Sequence, residues 1–200
     1  DRSSAASDVY KRQLWINGQK AVRARDVADF EKMYRIINND PQNEILWVPA
    51  AAVKKIQKAR YAEMVLHEMW CVANLRIKSV EIQGDSAAVR FHNPESRIQF
   101  EHPWPRPMVT KDGHNSAFYL TNAMELLDEP GEWYHDIESR KIYYYPRKGE
   151  KISKAVVPGI ETLVWVEGTI DRPVKHIRFD NIAFQYTTWM RPSLQGHVPL

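Results

Sequence analysis

The stretch "ELLDEPGEWYHD", residues 125–136, sets Asp128, Glu129, Glu132 and Asp136 around a Pro-Gly step, next to Trp133. Two carboxyl groups facing one glycosidic bond can hydrolyse it, with retention when about 5–5.5 Å apart and with inversion at roughly 6.5–9.5 Å. One of the two must then carry a pKa raised by burial. Pro130-Gly131 also fits the central positions of a type II turn, because proline fixes the first φ and glycine accepts the positive second one. Turn chemistry accounts for all four acids, and the expectation is that they stay in water. Asp180, in "RFDNIAF", is the remaining catalytic candidate: strand alternation points it outward, away from Phe179, although Asp beside Asn is also ordinary corner chemistry.

Trp70 and Trp189 offer flat apolar faces on which a sugar ring can stack, and Arg191 can donate to hydroxyls or carboxylates. These three are the candidate substrate-binding residues. "HEMWC" begins like a zinc-protease helix, but Cys71 stands where the second histidine belongs, so no metal site is assigned. The lone Cys71 reads as a packing residue. No GK[ST] loop, G-x-G-x-x-G run or G-x-S-x-G elbow occurs, which removes the common phosphate-binding and esterase signatures. No cofactor is called for.

The elements that position these residues belong to a chain of 200 residues, 44% hydrophobic, with 28 bases against 25 acids and a net charge of +3. This is enough for one domain with a real core or two modest ones. Without a basic block there is no electrostatic case for nucleic acid. The apolar runs are about half the length of a membrane span. One cysteine excludes an internal disulfide. Residues 1–13 resemble translated adapter sequence from assembled environmental DNA, so the missing leader says nothing about compartment.

"LWINGQKAV" predicts a hairpin about Asn17-Gly18, a pair that tolerates the positive φ of a type I′ turn. In "RDVADFEKMYRIINNDP", Val27, Phe30, Met33, Tyr34 and Ile37 fall on one helical face, with Asp26 as N-cap, which predicts an amphipathic helix. "EILWVPAAAVKKIQKA" predicts a strand, then a short helix opened by Pro49 with Val53 and Ile56 inward. "YAEMVLHEMW" and "NLRIKSVEIQGDSAAVRF" read as strands, the second broken into a hairpin at 83–86, with a bulge near Ser79 where the inward parity changes. "EHPWPRPMV", with three prolines in five residues, reads as a link. "EWYHD" and "KIYYYP" predict paired strands. Past residue 159, Leu163 and Trp165, Ile177 and Phe179, then Ile182 and Phe184 form short inward pairs separated by corners. Asn181 is suited to the left-handed conformation at such a corner. That rhythm fits a coil of a parallel β-helix, which buries its faces only against further coils.

"NAMELLDEPGEWYHDIESRKIYYYPRKGE", "IETLVWVEGT" and "PVKHIRFDNIAFQYTTW" resemble the bacterial right-handed parallel β-helix proteins grouped with glycoside hydrolase family 141. "LWINGQKAVRARDV" resembles the segment that leaves their early β-helix for an inserted domain. The resemblance implies a mainly β chain with a minor helical part: after the adapter-like, non-native 1–13, an inserted α+β, sandwich-like domain at 14–107, a hairpin-containing connector at 108–158, and the first coils of the β-helix at 159–200. It implies an extracytoplasmic, fucosidase- or xylanase-like enzyme whose substrate is a polysaccharide or oligosaccharide and whose catalytic centre lies mostly on coils after Leu200. A β-helical polysaccharide lyase and a non-catalytic glycan-binding adhesin remain open alternatives.

Overall fold

The computed structural model describes residues 11–101 and 106–189. Among the described residues, thirteen strands are interrupted by two helices and three single 3-10 turns. In chain order they are β1 (Trp15–Ile16), β2 (Gln19–Lys20), β3 (Val22–Arg23), β4 (Tyr34–Arg35), β5 (Asn38–Asp40), β6 (Ile45–Pro49), α1 (Ala50–Val53), β7 (Glu63–His67), β8 (Val72–Gln83), β9 (Ser86–Phe91), α2 (Glu95–Glu101), β10 (Ala117–Thr121), β11 (Glu132–Asp136), β12 (Lys141–Tyr144) and β13 (Ala155–Val156). The chain is mainly β, with few helices.

The main sheet has the order β4-β10-β7-β8-β9-β6-β5, with every neighbouring pair antiparallel. The segment from Tyr34 to Asp40 supplies both outermost strands. The Ile36 N–H donates to Ser116 (3.0 Å) on one side, and the Ile37 N–H to Trp47 (2.6 Å) on the other. The sheet therefore curls until one chain segment serves both edges. Alternate residues, among them Leu46, Val48, Met64, Leu66, Leu75, Ile77, Val89, Phe91, Phe118 and Leu120, point into the curl and form the core with Val53 and Ile56. Each fully buried side chain of this size contributes roughly 1.5–3 kcal/mol. β10, from residues 108–158, lies inside this sheet between β4 and β7.

A smaller layer is built from the hairpin β1–β2, with β13 added to β1, and from β12-β11-β3, in which β3 runs parallel to β11. Asn17 (φ 52°) and Gly18 (φ 80°) both take the left-handed values that the hairpin turn requires. Gly131 (φ 93°) and the Glu132 N–H bond to Glu129 O (3.2 Å) close the Pro-Gly turn. Trp133 is fully buried with Leu14, Ile16 and Ala21, while Tyr134 stacks on Tyr143 at 6.2 Å. The bulge in β8 falls between Ile77 and Ser79, as the change of parity predicts.

Three elements differ from expectation. The helix over 26–37 is absent: a single 3-10 turn at Phe30–Lys32, capped by Asp29, leads into β4 and β5. Of the expected inward face, Phe30, Tyr34 and Ile37 are exposed and Met33 is buried, with Ile36 buried in addition. Hydrogen bonds to both sheet edges outweigh a helical periodicity that propensity alone supports weakly. α2 was not anticipated, although Asn93 caps it (Arg97 N–H to Asn93 Oδ1, 3.2 Å) and Pro94 suits a first helical turn. Residues 157–189 contain no strand, so β-helix coils are not formed there as ladders. A coil of that kind bonds to the coils above and below it, so a turn standing alone has no ladder partner. Asn181 does take the left-handed conformation (φ 56°), as do His176 (φ 60°) and Tyr186 (φ 64°). Part of the proline-rich link (102–105) and Arg191 lie outside the described residues.

Candidate functional site

The four turn acids have separate structural employments. Asp128 is exposed and pairs loosely with Lys55 (3.5 Å). Asp136 accepts the Glu138 and Ser139 N–H groups and the Ser139 hydroxyl (2.7 Å) in the following turn, and these bonds hold its carboxyl below the ordinary value. Glu129 is exposed. Glu132 departs from the expectation that these acids stay in water: it is 5% exposed, and burial raises its pKa. The Glu132 carboxylate faces inward because it collects the N–H groups of Arg25, Asp128 and Glu129 at 3.2–3.4 Å, fastening the turn to the segment after β3. No pair of these acids is left facing a substrate.

Asp180 is exposed and bound to Arg178 two residues away (2.6 Å). Trp70 projects from the β7–β8 connection, more than half exposed. In the same connection the Cys71 thiol donates to Glu68 (3.0 Å), and burial together with that carboxylate pushes its pKa up to about 12. Such a thiol is a poor nucleophile. Among the described residues no three His, Cys, Asp or Glu side chains cluster as metal ligands.

Trp189 is the predicted residue that the structure places in a cleft. It follows Thr188, which is buried and whose N–H bonds to Ile160 O (3.0 Å), and Tyr186, whose ring meets Trp15 edge-on at 5.4 Å. The cleft, about 400 Å³, lies between the β2–β3 segment and the outer face of β7, β8 and β10. Strand alternation explains its walls. Arg23 and Arg25 lie two apart on one extended stretch, Tyr119 and Thr121 two apart on β10, and Val65 and Asn74 face outward from β7 and β8.

Its floor is an ion cluster. Glu63, completely buried, takes both terminal nitrogens of Arg23 (2.8 and 3.0 Å) and also the guanidinium of Arg12. Burial opposes ionisation of Glu63, but Arg23 and Arg12 outweigh it and hold the carboxyl below its ordinary value. The third Arg23 nitrogen donates to Asn122 Oδ1 (3.2 Å), whose amide in turn donates to Tyr61 O (2.9 Å). Thr121 Oγ1 donates to Ala24 O (2.7 Å) and Arg25 bridges to Thr121, so the cationic strand is sewn to the end of β10.

Tyr119 has its phenol pKa raised by burial, with Arg25 and Arg23 working against that rise. It is a neutral hydroxyl donor at physiological pH. From Tyr119 an aromatic path leads outward: His67 at 6.0 Å, then Phe30 edge-on to His67 at 5.4 Å, with Arg35 over Phe30 at 4.7 Å. Aromatic faces, neutral donors and guanidiniums suit holding a polyol or an anion. Among the described residues that line the cleft there is no carboxylate. Sequence reasoning missed Arg23, Arg25, Tyr119 and Asn74; the signal lay in the i, i+2 spacing of "VRAR" and of "YLT".

Comparison with families and known proteins is consistent with a carbohydrate context. The model of a family described as the GH141 insertion domain matches residues 3–147. A solved structure titled "Glycoside hydrolase" is 69% identical, with a TM-score of 0.89, over 96% of this chain and 34% of its own. The chain thus spans about a third of that protein's length. A comparison with curated proteins gave no match.

Proposed function

Because the chain belongs to the GH141 insertion-domain family, we propose that it is part of a secreted or periplasmic glycoside hydrolase, fucosidase- or xylanase-like, acting on plant or complex polysaccharides. The inserted domain reaches past residue 107 to take in β10, which lies between β4 and β7 in its sheet, and residues 159–200 are the start of a right-handed parallel β-helix. The catalytic carboxyls belong to later coils, and the inserted domain shapes the substrate groove.

The observation that carries this reading is the apolar row in the last described segment. Ile177, Phe179, Ile182 and Phe184 are each about half exposed or more (48–59%), while left-handed corners recur at 176, 181 and 186. Regular corners with uncovered apolar pairs between them are what a coil awaiting its neighbours presents.

Assays of the full-length parent on fucosylated, xylan and pectic glycans test the proposal. Hydrolysis with release of a reducing sugar is expected. Unsaturated uronate products would replace it with a lyase, and tight glycan binding without turnover would replace it with an adhesin.

A further inference from the structure

We propose that the cleft between β2–β3 and the outer face of β7, β8 and β10 is a subsite for an acidic sugar residue, a pyranose bearing a carboxylate or a sulfate. The inference rests on the carbohydrate reading above and names the chemical class that this surface selects.

Four cations, Arg12, Lys20, Arg23 and Arg25, line the cleft, and the carboxylate behind them is Glu63. Their positive charge gathers at one opening of about 400 Å³. Glu63 is committed to Arg12 and Arg23, whereas no carboxylate meets the side chains of Arg25 or Lys20 among the described residues. A cationic wall whose countercharge is already engaged favours an anionic guest, and a guanidinium pairs with carboxylate or sulfate oxygens in two parallel bonds.

The rest of the lining fits a sugar rather than a free inorganic anion. Tyr119 offers a ring face and a hydroxyl donor, Asn74 an amide with no protein partner among the described residues, and Trp189 a second aromatic wall. Ring hydroxyls need such directional donors and acceptors, and pyranose C–H faces need aromatic ones. The path through His67 to Phe30 extends the same type of surface outward, where adjoining residues of an oligosaccharide would run.

The test uses the full-length parent and calorimetric titration with trigalacturonate, its methyl ester and a sulfated galactobiose. Trigalacturonate is expected to bind about ten-fold or more tightly than its ester at low salt, and the advantage should shrink at high salt. The double variant Lys20→Gln/Arg25→Gln should abolish the advantage, because neither side chain holds up the ion cluster. If the sulfated sugar shows that charge-dependent preference instead, the acidic-sugar subsite stands and its guest carries sulfate. Equal affinity for acid and ester, with both weakened by Tyr119→Ala, would overturn the charge selection while leaving carbohydrate binding in place. If no glycan responds to any cleft variant, or the double variant only lowers the melting temperature, the cleft is an internal contact and the proposal fails.

Discussion

Residues 14–156 and residues 157–189 handle similar apolar residues in opposite ways. In the first region most large core side chains sit on strands whose ladders bring a partner surface to them: Leu66 faces inward because β7 is held between β10 and β8. In the second, Phe179 and Phe184 touch each other edge-on at 5.3 Å and are otherwise half in solvent, with no strand to carry them. The lesson is that periodic apolar residues specify a surface, and burial follows only where a second surface is available. The stability of this chain should therefore reside in the first region.

The largest expected effect comes from Glu63. Glu63→Ala leaves Arg12 and Arg23 buried without their shared carboxylate, which costs about 3–5 kcal/mol in similar settings. Urea unfolding measures it, and a loss below about 1 kcal/mol would show that the cluster is not a structural centre. The sign with pH is fixed by the lowered pKa of Glu63: its contribution is present above the ordinary carboxyl range and is lost on acidification through the folded-state value. Wild-type stability should fall in acid more steeply than that of Glu63→Gln.

Asp26 gives the opposite sign. Burial raises its pKa from 3.8 to about 6, while bonds such as the Leu120 N–H (2.8 Å) partly oppose the rise. Between those two values the folded chain binds more protons than the unfolded one, so rising pH destabilises it through that window. Asp26→Asn keeps an acceptor for Leu120 and removes the titration. It should stabilise the protein at pH 7–8 by on the order of 1–2 kcal/mol, discounted for residual solvent, and flatten the pH profile between about 4 and 6. A profile unchanged by the substitution would mean that Asp26 is well solvated.

A smaller effect is expected in the second region. Ile177→Asp/Phe179→Asp should change unfolding free energy by less than about 0.5 kcal/mol, because both side chains are already about half exposed and Phe179 meets only the edge of Phe184 among the rings. The same double variant should reduce aggregation of the isolated chain, measured by light scattering, by breaking the exposed apolar row. Hydrogen exchange sharpens the contrast: amides of β7, β8 and β10 should be protected, and those of 161–185 nearly unprotected. A destabilisation of about 2 kcal/mol or more would place these residues in a packed interior.

The legible features in the sequence were those set by neighbours in the chain. Asn17-Gly18, Pro130-Gly131 and the β8 parity change each specify a backbone conformation within a few residues, and all three are found. The segment 26–37 was misread because its fate depends on Ser116 and Trp47, far away in sequence, whose carbonyls hold it extended. The inward turn of Glu132 was hidden for a similar reason, since its partner Arg25 lies far away in sequence, on the segment after β3. The cleft combines residues from 12 to 189. Its spacing signal is visible on each strand, but that β3 and β10 border one cleft is a fact of topology.

Asp180 and Asp26 bring the comparison down to one residue type, and here the smallest effect is expected. Asp180 is exposed and tied to Arg178 across one residue, an arrangement worth a few tenths of a kcal/mol at most. Catalysis would require a carboxyl held in a site that excludes water, near a second carboxyl or a base; the burial of Asp26 supplies the first condition and the surface position of Asp180 supplies neither. Asp180→Asn in the full-length parent should therefore leave kcat/KM within about two-fold, while the corresponding change at an outward carboxyl on the later coils removes turnover. A fall of about 10³-fold, roughly 4 kcal/mol in the barrier, would move the catalytic centre onto this chain and make the open segment part of the working site.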